Sequence, residues 1–188
     1  ASSAAVYGNA TDLPCDDTKP LLSPPLSPYA LQKIENESYA ALYKRLHAQA
    51  SLGLRYFNAY GPGQDPHSPY SGVISRFIED CRQNKSLAIY GDGLQSRDFI
   101  HVSDIANANV LALQSDYHGV LNVATGKPET LLNLIKYIQS ASGTSIAPGH
   151  LPARVGDILH SYGSTTSADV HLGFKAAINL QSGIKTLL

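Results

Sequence analysis

The sequence lacks methionine and tryptophan, and only two of its 188 residues are cysteines. Cys15 and Cys81 are too far apart in the chain to suggest the close spacing of a metal site, and two cysteines are too few for a disulfide scaffold. We therefore expect two free thiols and no metal. Free thiols are typical of a reducing compartment, which predicts a cytoplasmic protein.

Long apolar runs and an excess of one charge are also missing. No run approaches the roughly 20 apolar residues that cross a bilayer, and the first residues have neither the basic nor the apolar region of a signal peptide. The formal net charge of -1 provides no general field for nucleic acid or an anionic membrane. We expect a globular protein with neither partner, in which any anion site is built locally.

The patterns that are present alternate between strand and helix, which is typical of an α/β fold. Ser27 and Pro28 are suited to the N-cap and first position of a helix that should run to about Ala48. A mostly apolar strand from Leu52 to Asn58 follows. Further helices are predicted at about 71–84, 104–112, 130–141 and after 167, and further strands at about 87–90, 98–102 and 120–124. We expect Ser103 to cap the helix at 104–112, and residues 143–163 to be loop-rich.

Tyr29 and Lys33 are four residues apart on the first predicted helix, so their side chains share one face. A free phenol titrates at about pH 10 and is a poor base at neutral pH, but a nearby ammonium favours the phenolate. Such a pair can exchange a proton with a sugar hydroxyl. The same spacing is common on solvated helix faces, so the pair alone does not identify a function.

Several other motifs accompany this pair in a fixed order. They are Ser2-Ser3-Ala4-Ala5-Val6-Tyr7-Gly8, Arg55-Tyr56-Phe57-Asn58-Ala59-Tyr60-Gly61-Pro62, Leu87-Ala88-Ile89-Tyr90-Gly91-Asp92-Gly93, Ser96-Arg97-Asp98-Phe99-Ile100-His101-Val102-Ser103-Asp104, Asn122-Val123-Ala124-Thr125-Gly126 and Arg154-Val155-Gly156-Asp157. Together they resemble the extended short-chain dehydrogenase/reductase family, and within it the nucleotide-sugar 4-epimerases. The resemblance covers essentially the whole chain.

This resemblance implies the C-terminal part of a Rossmann-type NAD-binding fold plus a smaller mixed α/β substrate-binding domain. Residues 1–60 would be the end of the Rossmann-type domain, and residues 61–188 would be the substrate-binding domain, with some segments returning to the first. The family's Gly-x-x-Gly-x-x-Gly run, which lets a pyrophosphate approach a helix N-terminus, does not occur in the sequence. We therefore expect a fragment whose N-terminal glycine-rich half is absent and which is inactive alone.

The resemblance also implies catalytic roles with NAD as cofactor. Ser3 would hydrogen-bond the sugar O4, Tyr29 would remove its proton, and Lys33 would activate Tyr29 and bind the nicotinamide ribose. The C4 hydride would pass to NAD+ and return to the other face of a 4-keto sugar. Tyr56 and Phe57 would lie near the nicotinamide.

A second implied set of residues would bind a UDP-sugar. Besides Ser3, its members are Asn58, Val73, Leu87, Ala88, Tyr90, Arg97, Arg154, Asp157 and Ser161. Arg97 and Arg154 would hold the diphosphate, because arginine offers a planar fork of donors for phosphate oxygens. Leu87, Ala88 and Tyr90 would line the uracil site. Asp98 and His101, in contrast, are expected to be structural.

Two local details bear on the reaction. Related dehydratases have an Asp and a Glu where this sequence has Ala4 and Ala5, and alanine cannot transfer protons, which disfavours dehydration. In epimerases that accept N-acetylated sugars the position matching Ser161 is small, so a 2-acetamido group is permitted here. The family resemblance further implies a homodimer formed through the helix that bears Tyr29.

Two alternatives remain open. A chain without the glycine run could be a non-catalytic UDP-sugar binding module. The same superfamily also includes reductases, decarboxylases and dehydratases.

Overall fold

A computed structural model describes residues 1–68, 71–154 and 156–188 and has an α/β architecture with parallel sheets. The helices are α1 (Pro28–His47), α2 (Val73–Arg82), α3 (Val102–Leu113), α4 (Leu131–Ser142), α5 (Thr166–Leu172) and α6 (Leu180–Lys185), and a 3-10 helix spans Ala4–Tyr7. The strands are β1 (Ser2–Ser3), β2 (Leu52–Tyr56), β3 (Asn58–Tyr60), β4 (Ala88–Tyr90), β5 (Ser96–His101), β6 (Gly119–Val123), β7 (Pro128–Thr130), β8 (Gly149–Leu151) and β9 (His160–Ser161).

The strands of the described residues form three small sheets. One is wholly parallel with the order β1-β2-β6, and its longest register pairs Leu52 with Gly119 and Tyr56 with Val123. The second has the order β3-β5-β7, and β9 also pairs with β5 in parallel. The third pairs β4 with β8 in parallel. Among the described strands, β7 alone runs antiparallel to its neighbour, β5.

Three apolar clusters pack around these sheets. The largest joins α2, α4, α6 and β4, the second surrounds β2, β5 and β6, and the third packs the N-terminal 3-10 helix against Phe57 and Ala124. Burying large apolar side chains is the main stabilising contribution in such clusters. The first cluster backs the cavity described below, and the third includes Ile34 of α1, the helix that bears Tyr29 and Lys33.

The start of α1 follows the sequence signals. Ser27 is extended and its Oγ accepts a hydrogen bond from the Ala30 amide at 3.1 Å, with Pro28 at the first helical position. The helix ends at His47, before Ala48 in the left-handed conformation. This confirms the predicted helix.

Other boundaries differ from the predictions. The helix after β5 begins at Val102, and its cap is His101, whose Nδ1 accepts the Ser103 amide at 3.2 Å; the prediction that Ser103 is the cap is wrong. The predicted strand from Leu52 to Asn58 divides at Phe57 into β2 and β3, which join different sheets. The stretch 143–163 is not only loop, since it includes β8 and β9.

Both thiols are free, as expected, and both are buried. Among the described residues, no helix combines the length and apolar character that crossing a membrane requires.

Candidate active site and nucleotide-sugar cavity

The first site is the exposed face at the start of α1. Tyr29 is 48% exposed, and the Lys33 Nζ lies 5.5 Å from the centre of the Tyr29 ring. The Lys33 ammonium also donates a hydrogen bond to the Ala1 carbonyl at 3.2 Å, which connects α1 to the residue before β1. The phenol and the ammonium are therefore neighbours on a solvent-accessible face.

Ser3 is placed near this face by β1. It pairs with Tyr56 of β2, and it also caps the 3-10 helix, with its Oγ accepting the Ala5 amide at 3.2 Å. Both β1 and the 3-10 helix lie against α1. The predicted catalytic residues thus come from two elements that are in contact.

The side chains of the predicted cofactor residues Tyr56 and Phe57 both contact other parts of the protein. The Tyr56 hydroxyl donates to Asn109 Oδ1 at 2.8 Å, toward α3. Phe57 is buried beside Tyr7, with the ring centres 6.2 Å apart. Because the Phe57 side chain is enclosed in a core, a cofactor could reach only its backbone. Contact of either residue with a nicotinamide stays a prediction.

A cavity of about 390 Å³ brings together most of the predicted substrate-binding residues. It is lined by Asn58, Val73, Ala88, Tyr90, Arg97, Arg154 and Asp157, together with Arg76, Phe77, Asp80, Gln95 and Leu131. Val155, which belongs to the last sequence motif, lies outside the described residues. The cavity lies at the ends of β3 and β4 and against one face of α2.

Arg97 is the principal fixed cation of this cavity. Its guanidinium contacts Asp157 Oδ1 at 3.0 Å and donates to the Ser96 carbonyl at 2.9 Å. Burial lowers the pKa of Arg97 from its ordinary value, while the Asp157 carboxylate acts in the opposite direction. An arginine remains protonated at neutral pH, so the cavity holds a partly desolvated positive charge.

Arg154 and Tyr90 form the other polar wall. The Arg154 guanidinium lies over the Tyr90 ring at 3.7 Å from its centre, a cation–π contact. Gln95 donates from its side-chain amide to the Tyr90 carbonyl at 2.7 Å and so fixes the end of β4. Two guanidinium groups and an aromatic face therefore border one space.

Arg76, Asp80 and Gln95 also line this cavity, and none of them was predicted from the sequence. Arg76 and Asp80 lie three and seven residues after Val73, which places them on its face of α2. That helical spacing was the available signal. Nothing in the sequence pattern singles out Gln95.

Some predicted residues do not line the cavity. Leu87 is fully buried in the largest core cluster, so only its backbone could contact a base, and its place in a uracil site stays a prediction. Ser161 lies in β9 opposite Arg97 and is not among the lining residues. Ser3 belongs to the α1 site instead.

Asp98 and His101 support the site without lining it, as predicted. Asp98 is fully buried and its carboxylate accepts from the Thr125 amide and hydroxyl, the Gly126 amide and the Gly163 amide, at 2.6 to 3.3 Å. These bonds connect β5 to the loop after β6 and to the segment after β9. His101 is buried and caps α3, so both side chains are structural.

Residues 1–124 match the family model described as the NAD dependent epimerase/dehydratase family. This match includes Ser3, Tyr29, Lys33 and the cavity residues up to Arg97. The chain belongs to this family.

Solved and curated relatives agree with the family assignment. The UDP-N-acetylglucosamine 4-epimerase of Methanobrevibacter ruminantium M1, solved with UDP-N-acetylmuramic acid, is 40% identical with a TM-score of 0.93 over 98% of this chain and 59% of that one. The UDP-glucose 4-epimerase of Thermotoga maritima, solved with UDP-glucose, is 32% identical with a TM-score of 0.92 over 98% and 60%. The UDP-glucose 4-epimerase of Mycolicibacterium smegmatis is 33% identical over 98% of this chain and 58% of its own length.

The chain therefore spans about three fifths of the length of the relatives it matches. What those proteins bind and convert is a property of longer chains.

Proposed function

We propose that this chain carries the catalytic and UDP-sugar-binding part of an NAD-dependent 4-epimerase for a UDP-hexose or a UDP-N-acetylhexosamine. The observation that carries the proposal is the cavity in which Arg97 and Arg154 converge beside Tyr90. Relatives of this architecture bind or convert UDP-sugars.

In the cavity, the diphosphate would lie between the two guanidinium groups, because charge-assisted hydrogen bonds to arginine are among the strongest that proteins make. The base would pack on Tyr90 beside Ala88, in the place that Arg154 now covers. Asn58, which is exposed and lines the same cavity, would contact the sugar or phosphate.

The residues at the start of α1 fit the nicotinamide ribose of NAD. Lys33 offers an ammonium and Tyr29 a phenol on one accessible face. The bound cofactor supplies a hydride acceptor. Tyr29 and Lys33 would hold only the nicotinamide end of the cofactor, since its pyrophosphate is bound by a glycine run of a kind that is separate from them.

On the substrate, Ser3 would orient the sugar O4 and Tyr29 would take its proton, with Lys33 stabilising the phenolate. Oxidation at C4 gives a 4-keto sugar, and reduction on the opposite face inverts that centre. Ala4 and Ala5 have no groups that transfer protons, so elimination of water is disfavoured. Ser161 is the strand partner of Arg97, which lines the cavity, and its small side chain would leave space for a 2-acetamido group; a relative is named as a UDP-N-acetylglucosamine 4-epimerase.

We further propose a homodimer that forms through α1, and a cytoplasmic location. Tyr39, Tyr43 and Leu46 are exposed on this helix, and exposed apolar surface of this kind is typical of an interface. The Tyr43→Glu variant should shift the assembly to monomer in sedimentation, while Leu113→Glu on α3 should not.

The second candidate function is UDP-sugar binding without conversion. It would need the residues of the cavity, and neither Tyr29 nor Lys33 lines that cavity. Binding of UDP-sugar with no product in the presence of NAD+ would support this candidate over the epimerase.

Both candidate functions require that the cavity binds UDP, and calorimetric titration with UDP measures this binding. Arg97→Ala should weaken UDP binding by about 10- to 100-fold, because it removes charge-assisted hydrogen bonds from a desolvated site. Arg97→Lys should give an intermediate affinity. Arg45→Ala is the control, since Arg45 is exposed at the end of α1. Equal UDP affinity of Arg97→Ala and the unmodified protein would contradict the proposed cavity.

A further inference from the structure

The proposed catalytic groups depend on the relative placement of two elements. Ser3 ends β1, whereas Tyr29 and Lys33 belong to α1. Every residue of α1 is described, and Ala30 is the only buried one. A helix with so little apolar burial is held weakly by hydrophobic packing, so another contact must fix its position against β1.

A buried ion pair supplies that contact. Arg55 of β2 donates from Nε and from a terminal nitrogen to the two carboxylate oxygens of Glu37 on α1, at 2.9 and 2.7 Å. The Arg55 and Glu37 side chains are only 5% and 12% exposed. Two parallel hydrogen bonds between planar groups fix both the distance and the orientation of a helix, which a single contact cannot do.

The same pair reaches the strand that carries Ser3. The Ser2 hydroxyl donates to Glu37, and Ser2 is the register partner of Arg55 in the sheet. Arg55 also donates to the Tyr7 hydroxyl at 2.9 Å, and that hydroxyl donates to Asn122 Oδ1 at 2.7 Å. Glu37 therefore contacts β1 and β2 at once.

On α1, Glu37 lies one turn after Lys33 and about two turns after Tyr29. Fixing Glu37 consequently fixes the rotation and the axial position of the helix at Lys33 and Tyr29. The hydrogen bond from Ser2 to Glu37 likewise fixes the position of Ser3, the next residue of β1.

We infer that Glu37 and Arg55 are positioning residues that hold Tyr29 and Lys33 in register with Ser3, an inference that rests on the proposed epimerase function. Neither residue lines the nucleotide-sugar cavity. Their effect should therefore fall on the chemical step and leave substrate binding nearly unchanged.

Single substitutions would not separate positioning from stability. Glu37→Gln leaves the Arg55 guanidinium buried without its counter-charge, which is strongly destabilising. Replacing both partners by apolar side chains of similar volume is often neutral or stabilising. The double variant Glu37→Met with Arg55→Met thus removes the orienting hydrogen bonds while leaving a folded chain.

The experiment compares this double variant with Glu35→Gln, an exposed control on the same helix, in the full-length gene product. We expect the thermal midpoint of the double variant to stay above that of Glu37→Gln. We expect its kcat to fall by about 100-fold, as displacement of reacting groups by about 1 Å does, with KM for the UDP-sugar within about twofold. Amide exchange over Tyr29 to Lys33 should become about tenfold faster.

Recovery of both stability and kcat in the double variant would overturn the inference, since the pair would then be structural only. Unchanged amide exchange at the start of α1 would overturn it as well, and this readout needs no activity. If the unmodified gene product binds UDP-sugar but gives no epimer, the proposed function fails while the exchange measurement still decides whether the pair positions the helix.

Discussion

At the scale of single residues, burial decides which groups are chemically available. Cys15 lies in the apolar cluster with Val6, Tyr7 and Phe57, and burial raises the pKa of its thiol to about 11. Burial likewise raises the pKa of Tyr7 to about 12, although Arg55 acts against that shift. Tyr7 therefore stays a neutral hydrogen-bond donor beside the guanidinium, and the accessible Tyr29 is left for proton transfer.

The Cys15 thiol gives a direct test of this environment. Because the thiolate is the reactive form, a pKa of about 11 lowers the thiolate fraction at pH 8 by about a hundredfold relative to a free cysteine. In a Cys81→Ser variant, we expect alkylation of Cys15 by iodoacetamide to be slower by at least that factor, and to become fast after denaturation. Alkylation at the rate of a small-molecule thiol in the native protein would contradict the buried placement.

At the scale of elements, the N-terminus of α1 is fixed by a local signal. Ser27→Ala removes the hydrogen bond to the Ala30 amide and should lower the free energy of unfolding by about 1 kcal/mol. Urea denaturation measures this change. The control is Ser145→Ala, at an exposed loop position, which should leave the midpoint unchanged. A midpoint for Ser27→Ala equal to that of the control would show that the cap contributes nothing.

Elements with local signals could be predicted, and elements defined by distant partners could not. The Ser27-Pro28 start of α1 and the apolar stripe of α4 can each be recognised within one short segment of the sequence. β7 and β9 are only three and two residues long and exist because they pair with β5, a contact between distant parts of the chain. The His101 cap was missed because a histidine is not a preferred capping residue.

Those residues of the candidate site that belong to family motifs could be predicted from the sequence, and the others could not. Arg97, Arg154, Tyr90 and Asp157 were found through family motifs and do line one cavity. Glu37 has no motif of its own, and its importance depends on Arg55, eighteen residues away in sequence and on another element. Asp80 similarly enters the cavity only because α2 packs there.

At the scale of the whole molecule, the two sites belong to different packed units of one chain. The cavity is backed by the core of α2, α4 and β4, while Tyr29 and Lys33 lie on a helix packed against β1 and the 3-10 helix. The strand pair β2 and β3, which are separated only by Phe57, connects the two. Asn58 at the start of β3 lines the cavity, and β2 pairs with the strand that ends at Ser3.

The proposed function is inversion of C4 of a UDP-sugar through a keto intermediate, and label retention tests this proposal most directly. UDP-N-acetylglucosamine with deuterium at C4 would be incubated with the full-length gene product and NAD+, and the products examined by NMR and mass spectrometry. We predict UDP-N-acetylgalactosamine that retains the deuterium at C4, and no product with Tyr29→Phe. A dehydrated product, or an epimer whose C4 deuterium has been replaced by hydrogen from water, would contradict the account.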